Sequence, residues 1–251
     1  MRRNIKLTFS FDGSNFSGWQ KQKNKRSVQE TIEKALKKIT QEKIKIIGCG
    51  RTDSGVHAIN YVGNFKTSSK IHCENFKKAI NSFLAPEIYV KKVEDVSLSF
   101  HSRYDAKRKT YIYLISLSKS PFLKNYAFFY EREIDIKKMT EGKKYILGKH
   151  DFSSFMAAGS KVKNTVREIF KLEIKKKLFF LDKSINLIEI EIEGNGFLYK
   201  MVRNIVGTLI YVGIGKISSS DVEKIIEAKD RKIAPPTVPS HGLYLKKVSY
   251  K

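Results

Sequence analysis

One carboxylate in this chain stands in a setting suited to chemistry. In Gly50-Arg51-Thr52-Asp53-Ser54-Gly55-Val56-His57-Ala58, two glycines flank an Arg, a Thr and a lone Asp, and a His follows. Glycine at a strand end permits a tight turn and close approach of a ligand to the backbone. An Arg two residues from Asp53 favours the ionised carboxylate. Such a carboxylate can serve as nucleophile, base or cation ligand. The same residue types also build ordinary loops, in which Asp bonds nearby backbone. No Gly-Lys-Ser/Thr opens a helix here, so a phosphate-binding P-loop is not supported.

Three other places carry chemical side chains. Arg203 falls within Phe197 to Val212, a stretch apolar over most of a helix surface. A guanidinium there needs a carboxylate or phosphate, and Asp53 is the natural candidate. Between Phe100 and Tyr113, basic residues alternate with aromatics, among them Lys109 and Tyr111. That mixture suits a surface that holds phosphate and stacks a base, and it also describes a plain strand with solvated lysines. His150-Asp151 lacks further ligands at metal spacing, so a structural turn is the expectation.

The elements that must position these residues follow from periodicity. Ile5, Leu7, Phe9 and Phe11 alternate with Lys6, Thr8 and Ser10, a half-buried strand. Asp12-Gly13-Ser14-Asn15 is turn chemistry, and Phe16 to Gln20 carries the only Trp, Trp19, suited to base stacking or to the core. Ser27-Val28-Gln29-Glu30 is a capping box, after which Val28, Ile32, Ala35, Leu36 and Ile39 recur at helical spacing. Strands at 43–48 and 59–65 flank the Asp53 stretch. A helix from 73 or 74 to 84 ends before Pro86, and 88–96 reads as another strand. In the second half, 135–147 is a weakly patterned helix, 165–175 and 185–192 are strands, and Lys175-Lys176-Lys177 is a solvated flank. Ser220-Asp221-Val222-Glu223 caps a helix to about Lys229, and 242–250 is a closing strand.

This order predicts an α+β fold of two similar halves. Each is a mainly antiparallel sheet with helices on one face, and together they enclose a central basic cleft. The border falls near residue 105, giving domains 1–105 and 106–251.

Charge narrows the partner. With 49 basic and 25 acidic side chains, the formal net charge is +24, which opposes folding by self-repulsion unless a polyanion uses it. Nucleic acid fits, and its binding by Lys and Arg would weaken with salt. The excess of Lys over Arg, with abundant Ile and Asn, also matches the codon bias of an AT-rich genome. Cys49 and Cys73 form no Cys-x-x-Cys, so neither a zinc site nor a disulfide framework is expected. No apolar run reaches the roughly 18 residues of a membrane-spanning helix. The start passes directly into a strand pattern and does not read as a signal peptide, so a soluble, cytoplasmic protein is expected.

The nine residues from Gly50 to Ala58 resemble the signature of the TruA family of tRNA pseudouridine synthases. Further segments resemble the same family in the same order: Phe11 to Gln20, Phe100 to Tyr113, His150 to Phe155, Phe197 to Asn204 and Gly242 to Tyr250. Phe11 replaces the usual Tyr, Ser102 the usual Ala, and Ser240-His241 precede Gly242 in place of the usual residues. The resemblance implies that Asp53 is catalytic, acting at the ribose or the base. It implies that Arg203 pairs with Asp53, and that Tyr111 packs on the target uracil and assists loss of the C5 proton. Arg51, Tyr111, Lys109 and Phe197 are then the candidate RNA contacts, with Arg51 on the backbone or in the gap left by a flipped base. His57 supports the turn.

The implied reaction turns uridine into pseudouridine in the anticodon stem-loop of tRNA, at positions 38 to 40, by a homodimer. It calls for no metal, redox cofactor or nucleotide energy source. The alternatives are the same chemistry on ribosomal RNA and a non-catalytic RNA-binding protein.

Overall fold

The structure, a computed structural model, describes residues 2–84, 86–160 and 162–250. Its fold is mixed α+β, with strand pairing that is mostly antiparallel. By Cα proximity the chain forms two compact units, Met1–Lys107 with Tyr244–Lys251, and Arg108–Leu243.

In the first unit, β1 (Arg3–Phe11) lies between β4 (Ile88–Val96) and β3 (His57–Thr67), antiparallel to both. The short β2 (Ile47–Gly48) pairs with Asn64 and Gly63 of β3. At the opposite end of β3, Tyr244 and Leu245 of β10 (Leu243–Ser249) run parallel to His57 and Ala58. The alternation read in β1 is realised: Ile5, Leu7, Phe9 and Phe11 are buried, while Lys6, Thr8 and Ser10 are half-buried. Helix α1 (Val28–Thr40) buries Val28, Ile32, Ala35 and Leu36, and its N-cap Ser27 accepts from Glu30 N at 3.3 Å. Helix α2 (Cys73–Phe83) buries Phe76, whose ring centroid is 5.9 Å from that of Phe65 on β3.

The expected strand at 43–48 shrinks to β2. Only Ile47 and Gly48 find a ladder partner, while Ile44 and Ile46 are buried without strand pairing. Two buried asparagines, not singled out by periodicity, tie 97–102 to this sheet. Asn4 Nδ2 donates to Ser97 O and Phe100 O at 2.8 and 3.0 Å. Asn64 Nδ2 donates to Asn4 Oδ1 at 3.0 Å, and its own Oδ1 accepts from Ser102 N at 2.9 Å.

In the second unit, the antiparallel order is β5 (Arg108–Ser116), β9 (Asn186–Gly194), β8 (Val166–Leu178) and β7 (Gly148–Asp151). The short β6 (Phe128–Phe129) runs parallel to the end of β5. Ile188, Ile190 and Ile192 of β9 are buried and alternate with Glu189, Glu191 and Glu193. Those carboxylates pair with lysines and an arginine of the neighbouring strands: Lys177 with Glu189 at 2.9 Å, Lys171 with Glu191 at 3.2 Å, and Arg108 with Glu193 at 3.0 Å. So part of the basic excess is neutralised within this sheet.

Among the described residues, three α-helices complete the unit: α3 (Ile136–Gly142), α4 (Met201–Gly213) and α5 (Asp221–Ala228). Helix α4 is buried along nearly its whole length, as its apolar sequence predicts, but it starts at Met201 rather than Phe197. Lys200 takes a left-handed conformation, φ 62°, and interrupts the helix there. At α5 the capping box sits two residues earlier than expected. Ser218 N donates to Asp221 Oδ2 at 2.8 Å, and Asp221 N donates to Ser218 Oγ at 3.2 Å, while Ser220 makes no side-chain cap.

Candidate active site

Asp53 sits on the loop joining β2 to β3, and that loop hangs on the chain between β1 and α1. Trp19 N donates to Thr52 O at 3.2 Å, and Gly55 N and Ser54 Oγ donate to Phe16 O at 3.3 and 3.2 Å. Val56 N closes the turn on Asp53 O at 3.2 Å. The approach is close: a Cβ on Gly18, whose φ is +88°, would lie 2.3 Å from Thr52 O and 3.0 Å from the Asp53 carbonyl carbon. Only glycine accepts both that φ and that contact. Below the loop, the Tyr61 hydroxyl donates to Gly50 O, and Cys49 is fully buried. Asp53 is half-buried and Arg51 exposed. Beside them Thr52 Oγ1 is buried with no hydrogen-bond partner, a condition that costs about 1–3 kcal/mol.

His57 props this loop from beneath. It is buried, stacks on Tyr244 at 4.6 Å, and its Nδ1 accepts from Gly13 N at 3.0 Å. Asp12, 3.1 Å from the same nitrogen, accepts from Ser14 N at 2.9 Å and so shapes the 12–15 turn. Trp19 belongs to the core: it is 5% exposed and stacks on Tyr61 at 4.4 Å, which leaves no ring face for a base.

In the second unit, Lys109 and Tyr111 are alternate residues of β5 and share one face. They stand opposite Gly194 and Ile192 of β9. The chain leaves β9 through Gly194-Asn195-Gly196 and returns Phe197 to Tyr111, edge to face, at 5.2 Å and 85°. The structure thus brings these two sequence candidates together. Arg203 lies in the first turn of α4, half-buried, and its Nε donates to Val238 O at 2.8 Å. Nearby, Tyr113 is fully buried and donates to Pro239 O at 2.7 Å. Burial pushes the Tyr113 hydroxyl far above the usual tyrosine range, and the Arg203 charge works against that shift.

His150 and Asp151 end strand β7 rather than forming the expected turn, and both side chains bond nearby main chain. His150 Nε2 meets Leu147 O at 2.7 Å, and Asp151 Oδ1 accepts from Ser153 N at 3.0 Å. Among the described residues, no cluster of three or more His, Cys, Asp or Glu could hold a metal ion, and no helix is long and apolar enough to cross a membrane.

The class of protein that this chain's sequence defines is the pseudouridine synthases. Residues 7–105 and 143–251 match the family described as tRNA pseudouridine synthase, and the chain belongs to that family. It is 47% identical over 250 residues to tRNA pseudouridine synthase A of Thermoanaerobacter sp. (strain X514), covering 99% of this chain and 100% of that one. It is 44% identical over 255 residues to tRNA pseudouridine synthase A 2 of Clostridium tetani, covering all of both chains. A third relative, tRNA pseudouridine synthase A of Clostridium acetobutylicum, is 47% identical over 250 residues, again 99% of this chain and 100% of its own.

Proposed function

We propose that Asp53, Tyr111 and Arg203 carry out the reaction that family membership assigns to this chain, the isomerisation of uridine to pseudouridine in tRNA. The target is a uridine of the anticodon stem-loop, at positions 38 to 40, turned out of its stack so that its sugar and base are accessible. Asp53, acting at the ribose or the base, promotes cleavage of the bond between ribose C1′ and uracil N1. The detached uracil turns and bonds C1′ through C5; C5 then loses its proton and N1 gains one.

Arg203 supplies the positive charge that keeps the Asp53 carboxylate ionised. Tyr111, braced by Phe197, stacks on the uracil and assists proton loss from C5. Arg51 and Lys109 contact the RNA. The protein works in the cytoplasm as a homodimer, with one tRNA touching both subunits.

The Asp53 loop supports this reading most. Its backbone is fixed on both sides of the carboxylate, so the side chain is presented at a set position rather than on a mobile loop. The test is to map pseudouridine in RNA from cells lacking the gene. Loss confined to tRNA positions 38 to 40, restored by the unaltered protein and not by Asp53→Asn, is the expected result. Loss in ribosomal RNA with those tRNA positions intact would overturn the substrate assignment.

A further inference from the structure

The guanidinium of Arg203 takes its orientation from whatever its Nε–H bonds, and that partner is Val238 O. Val238 lies between α5 and β10, just after Pro235 and Pro236 and just before Pro239. Prolines offer no N–H, and this stretch belongs to no strand. Its shape is set instead by Arg231. Arg231 Nη1 donates to Ala234 O at 2.7 Å, and Nη2 reaches Pro235 O at 3.0 Å and Thr237 Oγ1 at 3.2 Å. The same Nη2 lies 3.2 Å from Asn204 Oδ1, which also accepts from the Thr237 hydroxyl at 2.5 Å.

Asn204 is fully buried, neighbours Arg203 on α4, and donates to Phe155 O at 2.7 Å. The contact with the helix continues one turn on: a Cβ on Gly207 would fall 2.3 Å from Pro236 O. The acceptors around Arg231 are carbonyl, amide and hydroxyl oxygens, and burial lowers its pKa. Its planar fork therefore serves as a template for the peptide rather than as half of an ion pair.

We infer that Arg231, Thr237 and Asn204 are positioning residues: together they clamp the 234–238 peptide to α4 and thereby fix the Val238 carbonyl that orients Arg203. The inference rests on the reading of Arg203 as part of the reaction.

The test compares T237V in two backgrounds, the unaltered protein and R203K, by single-turnover pseudouridine formation on tRNA. Affinity for tRNA and melting temperature are measured alongside. R203K keeps a charge but lacks the Nε–H that meets Val238 O. T237V should slow the single-turnover step about tenfold and leave tRNA affinity unchanged, while T237S, which keeps the hydroxyl, restores the rate. In R203K, T237V should add no further loss. Equal fold losses in both backgrounds, no loss in the unaltered background, or a loss explained wholly by weaker tRNA binding would overturn the clamp. R203K at the unaltered rate would show that the Nε–H bond to Val238 O is not needed and would overturn the clamp, whereas Arg203→Leu at the unaltered rate would remove Arg203 from the reaction, a separate failure. If T237V does not fold, R231K undergoes the same two-background comparison.

Discussion

Around Asp53 the anchoring atoms are mostly main-chain. Trp19 N and Gly55 N reach carbonyls across two loop segments, and Gly18 lets the segments touch. Around Arg203 they come from side chains: Arg231, Thr237 and Asn204 shape a proline-rich peptide, which then offers one carbonyl to the arginine. A backbone clamp of the first kind tolerates changes of side chain but not an added Cβ. A side-chain clamp of the second kind fails with the loss of a donor, and its peptide also packs closely on α4, where a Cβ on Gly207 would fall 2.3 Å from Pro236 O. Each therefore has a distinct vulnerability, and substitutions separate them.

The largest expected effect is at Arg203 itself. Arg203→Leu removes both the charge and the Nε donor and should lower turnover at least about a hundredfold, read as pseudouridine formed per enzyme. Retained turnover would show that the second unit's clamp serves stability alone. Smaller effects distinguish the two kinds of anchoring. Gly18→Ala must adopt φ +88° and meet Thr52 O at 2.3 Å. It should cost about 1–3 kcal/mol of stability and slow turnover, measured by thermal melting and initial rates. Gly196→Ala, beside Phe197, lies outside both clamps and is the control: its Cβ would meet nothing closer than the Arg167 side chain at 3.7 Å. Its effect on stability should stay within about 1 kcal/mol, with turnover close to that of the unaltered protein. Equal damage at both glycines would erase the contrast.

Much of the frame was legible in the residues. Alternation located β1 and β4, and the Ser27 cap with its apolar stripe located α1, because each signal is local. Pairing is not local, and there the reading was less complete. The residues at 43–46 look like a strand but find no strand partner among the described residues: the ladder with β3 holds Ile47 and Gly48, while Ile46 N and O bond the side chains of Glu33 and Gln29. Trp19 was open between base stacking and burial; contact with Tyr61, forty-two residues away, decided for the core. Ser218 and Ser220 both precede an acidic residue at capping distance, and only backbone geometry selects Ser218.

At the site, the motif drew attention to Asp53, and the cost of burying a guanidinium drew attention to Arg203. The support behind Arg203 left little trace in the sequence. Asn204, Arg231 and Thr237 are separated along the chain and share no period, so only the fold reveals them as one network.

The most direct test of the account follows the hydrogen on uracil C5. With tRNA carrying tritium at C5 of its uridines, the unaltered protein should release label into water, and Asp53→Asn should release none above background while still binding the tRNA. Release by Asp53→Asn at the unaltered rate would contradict the central role assigned to this carboxylate.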